Sequence, residues 1–175
     1  SFFLLLLRFW NNLNCERNLA YEMIKFDSTI CNDFEAATSR EWLETNGVCI
    51  LGWQSDEMPA FYSRKSGLPV DERIETAEEA GQIIKARDEL KMPNAILLTA
   101  PVPAEFEIAN EKLDVILQSA LAEADSQSIS GKEITPFLLA KMSSESEGET
   151  LRANIALLEN NAKIAAQVAV KLINR

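Results

Sequence analysis

The sequence VCILGW at residues 48–53 and the sequence AILLT at residues 95–99 are two short apolar runs. Runs of this length and composition are typical of buried β-strands. Between them, Thr76 and Glu79 form a capping box, which predicts a helix that ends before Pro93. A strand, a helix and a second strand at this spacing predict one βαβ unit with parallel strands. The predicted fold class is therefore α/β.

Further helices are predicted before and after this unit in the sequence. Thr38 and Glu41 form another capping box, and the helix that they open is predicted to end at Asn46-Gly47. Residues 54–70 are predicted as a loop because proline and glycine interrupt them. Further on, an apolar stripe at helical spacing is formed by Leu113, Ile116, Leu117, Ala120, Leu121 and Ala124.

The C-terminal part of the sequence predicts two more helices. Thr135 and Pro136 predict an N-cap followed by a first helical turn, and the Ser- and Glu-rich residues 143–150 predict a loop. A long final helix is predicted over residues 151–173. Its buried face is predicted from the apolar residues that recur every three or four positions, namely Leu151, Ile155, Leu158, Ala162, Ala165, Ala169 and Leu172. Arg152, Glu159 and Lys163 predict its solvent face.

Two parallel strands do not make a stable sheet by themselves. Residues 1–37 lack a clear strand pattern, and residues 21–26 suit either a short strand or a turn of helix. The apolar run at residues 2–7 is far shorter than the roughly 20 residues that span a bilayer. A signal peptide is disfavoured because no basic region precedes this run. The sequence therefore predicts an incomplete sheet, as in a piece of a larger α/β domain.

The composition narrows the function classes. The chain has 175 residues, 47% of them hydrophobic and 25% charged, which is typical of one soluble globular domain. Its 17 basic and 27 acidic residues give a net charge of −10, which disfavours nucleic acids and membrane surfaces as partners. The sequence contains no histidine. This excludes Ser-His-Asp and Cys-His catalysis and every zinc site that uses histidine.

The cysteines predict a reducing compartment. Cys15, Cys31 and Cys49 are odd in number and show no Cys-x-x-Cys spacing. They are therefore predicted to be free thiols rather than a disulfide framework. A cytoplasmic location is expected, with a mitochondrial one left open.

Four segments of the sequence resemble the pseudouridine-5′-phosphate glycosidase family, which is also called indigoidine synthase A-like. They are residues 47–70 (GVCILGWQSDEMPAFYSRKSGLPV), 101–103 (PVP), 131–139 (GKEITPFLL) and 154–162 (NIALLENNA). The resemblance predicts that residues 38–175 form the C-terminal part of such a domain. Residues 1–37 are predicted to be an unmatched N-terminal segment.

The resemblance implies an α/β/α fold, a homotrimer and a divalent metal ion, expected to be manganese. It implies a hydrolase or lyase that reversibly cleaves the C–C glycosidic bond of a small nucleotide, pseudouridine 5′-phosphate, to uracil and ribose 5-phosphate. In such enzymes a lysine forms a Schiff base with the opened ribose. The iminium then acts as the electron sink that C–C cleavage needs.

The chain departs from the family at the catalytic groups. The resemblance places the acid glutamate, the metal-binding aspartate and the Schiff-base lysine in a part of the family sequence that this chain does not match. The lysine is expected near Cys31, but residues 28–34 (STICNDF) contain none. No catalytic residue and no metal ligand are therefore assigned, and the isolated chain is expected to be inactive. The alternative function is that of a non-catalytic fragment or a partner subunit.

Three residues are candidates for substrate binding. Asn154 and Asn161 lie on the final helix inside its apolar arc, where an amide is either a structural group or a ligand contact. The resemblance favours the ligand contact for Asn154. Thr135 is predicted as an N-cap, and the N-terminus of its helix also suits an anion such as a phosphate group.

Two loop segments are also candidates. Asp56 and Glu57 follow the strand at residues 48–53, and they either present carboxylates to a site or form a solvated turn. Phe61, Tyr62 and Arg64 are predicted to pack the loop rather than to contact a ligand.

Overall fold

The computed structural model describes residues 2–7, 21–26 and 40–173. Within these ranges one sheet has the strand order β2-β1-β5-β3-β4. The strands are β1 (Phe2–Leu7), β2 (Tyr21–Phe26), β3 (Cys49–Trp53), β4 (Glu72–Ile74) and β5 (Ile96–Thr99). The helices are α1 (residues 40–45), α2 (Ala77–Glu89), α3 (Asn110–Ser126), α4 (Ile134–Glu145) and α5 (Glu149–Ile173).

The predicted βαβ unit is confirmed. Strands β3 and β5 pair in parallel with Leu51 opposite Leu98, and α2 connects them. The capping box at the start of α2 is present, because the backbone N–H of Glu79 donates to Thr76 Oγ1 at 3.2 Å. In return, Glu79 Oε2 accepts from the backbone N–H of Glu75 at 2.7 Å. The first bond satisfies a donor that a helix N-terminus leaves free, and the second fixes the residue before the N-cap, so α2 begins where the sequence predicts.

Residues 1–37 were not expected to supply the missing strands, but residues 2–7 do, and of the two alternatives for residues 21–26 the strand is confirmed. Strand β1 pairs antiparallel with both β2 and β5, and it places Leu6 opposite Leu97. A strand with a neighbour on each side can be apolar throughout, and the run at residues 2–7 has this character. Strand β4 was also missed because it has three residues, of which only Ile74 is buried. Such a segment is too short to show a period.

Successive side chains along each strand point to opposite faces of the sheet. On one face, Leu51 and Leu98 pack against Ile84 of α2 and Val168 of α5. On the other face, Ile50 and Leu97 pack against Leu43 of α1. The predicted α/β class with helices on both faces of the sheet is confirmed.

A third apolar cluster lies beyond the sheet and joins α3, α4 and the first half of α5. Its buried residues are Phe61, Tyr62, Val102, Ile108, Ile116, Leu117, Ala120, Leu138, Met142, Ala153 and Leu157. This cluster, the end cluster, includes residues from the loops that follow β3 and β5. It therefore holds the carboxyl ends of these strands against α5.

The ends of the smaller helices show one confirmed and two wrong predictions. The capping box at Thr38 begins outside the described residues, whereas the turn at Gly47, with φ +66°, ends α1 as predicted. Helix α4 begins at Ile134, so Thr135 is not its N-cap. The reason is that a 3₁₀ turn at Gly131–Glu133 runs directly into the helix. The loop predicted at residues 143–150 is only a short turn, because α4 continues to Glu145 and α5 begins at Glu149.

The predicted buried face of α5 is wrong at Leu151, Ile155 and Ala162, which are exposed, whereas its other four residues are half-buried. The buried residues are Thr150, Ala153, Ala156, Leu157, Ile164 and Val168. By contrast, 52% of Leu151 and 49% of Ile155 are exposed. At about 100° per residue, the centre of the observed face lies about 130° around the helix from the centre of the predicted one. The sequence pattern did not distinguish the two faces because both are apolar.

Candidate functional site

The loops at the carboxyl ends of β3 and β5 form the candidate site, since ligands of open α/β sheets bind at this edge. Asp56 and Glu57 follow β3, and both carboxylates are bound within the chain. Asp56 Oδ2 accepts from Arg73 Nη1 at 2.8 Å, and Glu57 Oε2 accepts from the backbone N–H of Gly67 at 2.8 Å. These contacts favour the turn over a ligand site for both carboxylates.

The loop after β3 is packed on the chain, as predicted. Phe61 and Tyr62 are buried in the end cluster, with ring centroids 4.3 Å apart. Arg64 Nη1 donates to the carbonyl of Val102 at 2.8 Å, and its backbone N–H donates to Glu107 Oε1 at 2.8 Å. These bonds connect the two loops that follow β3 and β5, so the edge of the sheet is held in a fixed shape.

Helix α5 crosses this edge and carries the candidate amides. Asn160 Nδ2 donates to the carbonyl of Pro101, in the loop after β5, at 3.2 Å. This bond makes Asn160 a structural amide. Asn154 lies six residues earlier, about 9 Å along the helix axis, between Ala153 and Leu157 of the end cluster.

Asn154 has an unusual environment. Its Oδ1 atom is buried and accepts no hydrogen bond from any residue that the structure describes. A buried polar atom without a partner costs about 1–3 kcal/mol. Such an atom calls for an explanation, and a ligand that donates a hydrogen bond is one.

The other two predicted binding residues are Thr135, on α4, and Asn161, farther along α5. Thr135 is the second residue of α4 and is half-buried. Its neighbours Ile134 and Phe137 pack against the end cluster, so it borders the same cluster as Asn154. Asn161 is half-buried on α5, about 10 Å along the axis from Asn154 and close to the sheet-facing Ile164.

A cleft of about 360 Å³ opens beside the first turn of α5. It is lined by Glu105, Phe106, Glu107, Ile108, Glu149 and Arg152. The hydrogen bond and positive charge of Lys112 lower the pKa of Glu149. From the sequence, Arg152 was predicted only to lie on the solvent face of the helix. The spacing of residues along α5 does not predict this cleft, because its other wall includes a 3₁₀ turn at Ala104–Phe106.

The described residues do not fit the implied metal ion. Among them, no three His, Cys, Asp or Glu side chains are grouped closely enough to hold a metal ion. They also include no helix that combines the length and the apolar character needed to cross a bilayer.

Cys49 lies at the opposite end of β3 from the candidate site. Burial raises the pKa of its thiol, and the carboxylates of Asp71 and Glu72 raise it further. We expect alkylation of Cys49 by iodoacetamide to rise with pH around a midpoint above that of a free thiol, because only the thiolate reacts. In a Cys15→Ser, Cys31→Ser background, Glu72→Gln should lower that midpoint and Glu159→Gln should not. A midpoint at or below that of a free thiol would contradict the environment described for Cys49.

Comparison with known proteins places the fold in a family. The family model described as "Indigoidine synthase A like protein" matches residues 33–171. The pseudouridine-5′-phosphate glycosidase of Petrotoga mobilis is 42% identical over 131 residues, which are 75% of this chain and 43% of the relative. That of Myxococcus xanthus is 44% identical over 130 residues, which are 74% of this chain and 43% of the relative. The chain thus spans less than half the length of these curated relatives.

Two solved structures share the fold. The indigoidine synthase A-like protein of Thermotoga maritima superposes with a TM-score of 0.69 at 39% identity, over 79% of this chain and 45% of that one. The prealnumycin C-glycosynthase AlnA, solved in complex with ribulose 5-phosphate, superposes with a TM-score of 0.69 at 27% identity, over 78% and 45%. The match to the family model and the similarity to these relatives show that the chain belongs to the indigoidine synthase A-like family.

Proposed function

We propose that this chain provides part of the substrate site of a pseudouridine-5′-phosphate glycosidase. The reaction is the reversible cleavage of the C–C glycosidic bond of pseudouridine 5′-phosphate to uracil and ribose 5-phosphate. The family relatives named for this activity and the sugar phosphate in the AlnA complex support the substrate class. The observation that carries the proposal is the buried Oδ1 of Asn154, which has no partner among the described residues and lies on the part of α5 that packs in the end cluster.

The chemistry of Asn154 limits what it binds. An amide oxygen accepts hydrogen bonds, so the ligand must offer a donor. A ribose hydroxyl and a uracil N–H are both suitable, and pseudouridine 5′-phosphate has both kinds of group. In this proposal Asn154 orients the substrate, and the cost of its unpaired oxygen is offset when the substrate binds.

Thr135 and Asn161 have secondary roles in this proposal. The positive end of the α4 dipole, near Thr135, attracts the phosphate group. Asn161 supports the same wall of the site from one helical repeat farther along α5. Both effects are expected to be smaller than that of Asn154.

The bond-breaking groups come from outside the described residues. We propose that a lysine of the unmatched part of the family fold forms the Schiff base with the opened ribose, so that the iminium accepts the electron pair when the C–C bond breaks. Manganese and a trimeric assembly stay predictions from the family. No step is assigned to a metal ion, because the described residues offer no group of ligands for it.

A second candidate function is that of a non-catalytic partner subunit. The observation that favours it is the exposure of Leu151 and Ile155 on α5, since apolar side chains of this kind suit a contact with another protein. In this case the chain associates with family members and alters their stability without completing a site.

Reconstitution tests the proposal. The 175-residue chain is co-expressed with a second polypeptide, the part of the Thermotoga maritima relative that this chain does not match, and the two are called the reconstituted pair. We expect uracil release from pseudouridine 5′-phosphate by the pair and none by the chain alone. Borohydride should trap a lysine adduct on the second polypeptide. Uracil release by the chain alone, or a folded pair without any release, would contradict the proposal, and the latter would favour the partner subunit.

A further inference from the structure

Helix α5 has a second apolar face that nothing in the described structure covers. It consists of Leu151, Ile155, Ala162, Ala166 and Ile173, and we call it the outer stripe. At about 100° per residue these positions fall within an arc of about 60°, almost opposite Ala153, Leu157, Ile164 and Val168. All five outer-stripe residues are exposed, and Ile173 reaches 67%.

The outer stripe is too long and too uniform for an ordinary solvent face. It extends over most of a 25-residue helix, which is about 37 Å long. A helix that is apolar on opposite sides is typical of a buried helix with protein on both sides. Exposed apolar residues that recur along one side of a long helix mark an interaction site.

We propose that the outer stripe is the docking surface for the part of the indigoidine synthase A-like fold that this chain does not match, either in the same polypeptide or on a separate one. The matched part is only 45% of the Thermotoga maritima structure, so more than half of that protein packs around or beside this fold. The unmatched part of the fold needs an apolar surface on the matched part to pack against, and the outer stripe of α5 is such a surface. The proposal rests on family membership and not on the proposed activity.

The position of Asn154 agrees with this arrangement. On α5, Asn154 lies between the inner buried face and the outer stripe, since it is one residue from Ala153 and from Ile155. A body that covers the outer stripe therefore closes over Asn154. The half-buried Asn154 would then lie at the boundary between two parts of the fold, which is a common location for ligand sites.

A substitution in the outer stripe tests the docking surface. In the 175-residue chain, Ile155→Lys places a charge where the partner would bury it. We expect this variant to weaken assembly of the reconstituted pair by about 100-fold, because a buried unpaired charge is costly. The measurement is size-exclusion chromatography of the co-expressed pair at decreasing concentrations, which gives the concentration at which the pair dissociates. Ile155→Ala should give a smaller loss in the same direction.

Val115 is the matched control. It is an apolar residue of α3 that is 72% exposed, and its neighbours on that helix surface, Glu111, Gln118 and Ser119, are polar. Val115→Lys should leave assembly unchanged. In the chain alone, Ile155→Lys should shift the melting temperature by no more than about 2 °C, since the residue is half exposed.

Three outcomes would overturn the proposal. They are absence of any complex, equal assembly of the Ile155→Lys and unsubstituted chains, and a dimer of the chain alone that Ile155→Lys converts to monomers. The last outcome would assign the outer stripe to a second copy. A pair that assembles with the expected dependence on Ile155 but releases no uracil would refute the proposed function and leave the docking surface established.

Discussion

Replacing Asn154 by leucine is expected to lower the kcat for uracil release by about 100-fold in the reconstituted pair, while the chain loses no stability. The first effect follows because Asn154 orients the substrate in this proposal, and a substrate displaced by about 1 Å from its reactive position reacts about 100-fold more slowly. The second follows because Oδ1 has no partner among the described residues. Replacing an unpaired buried amide by an apolar group of similar size is neutral or stabilising.

This combination of results distinguishes the two roles of Asn154. A structural amide would show the reverse pattern, with a lower melting temperature and nearly normal kcat. Gln167→Ala is the matched control, because Gln167 is an exposed amide on the same helix and should change neither quantity. Assembly of the pair must be measured for each variant, so that a lower kcat is not mistaken for weaker docking. Asn161→Ala should affect stability more than turnover.

The sequence predicted the parts of the fold whose signals are local. The capping box at Thr76 fixes the start of α2, and the apolar runs fix β3 and β5, because each of these signals needs only a few neighbouring residues. Strand β1 was missed because its place between β2 and β5 depends on partners far away in the chain. An apolar run alone does not specify its partners.

The buried face of α5 shows a different limit of sequence analysis. The 3.6-residue period identifies apolar faces, but it does not state which of two such faces is covered by the same chain. Leu151 and Ile155 fit the period as well as Leu157 and Ile164 do, yet only the second pair is buried. The sequence predicted that Leu151 and Ile155 are buried. The docking proposal explains their apolar character, because another part of the family fold would cover both residues.

The candidate site was only partly accessible from the sequence. Asn154 was identified by its position in an apolar arc and by the family resemblance. The sequence did not reveal that Asn160, rather than Asn154, holds the loop after β5, because the carbonyl of Pro101 lies 59 positions away in the chain. It also did not reveal Arg152 in the cleft, since the opposite wall is formed by an irregular segment.

Replacing Gly52 by alanine is expected to destabilise the chain by about 3 kcal/mol. Gly52 lies in β3, between β4 and β5. A Cβ atom at this position would overlap the backbone carbonyl oxygen of Ser55 and would lie 3.0 Å and 3.1 Å from the two methyl groups of Val70. A backbone oxygen in a tight turn cannot rotate away as a flexible side chain can. Strand β3 or the turn at residues 54–57 must therefore move, and overpacking of this kind costs several kcal/mol.

The midpoint of urea unfolding measures this effect, and Gly81 provides the control. Gly81 lies within α2, where a Cβ atom would meet the Cβ of Lys171 at 3.3 Å. The gain of about 1 kcal/mol for alanine over glycine in a helix opposes this mild crowding. Gly81→Ala is therefore expected to change stability by less than about 1 kcal/mol. If Gly52→Ala were as mild as Gly81→Ala, the close packing of the turn at residues 54–57 on β3 would be refuted. The rigid edge that positions α5 and Asn154 would then lose its physical basis.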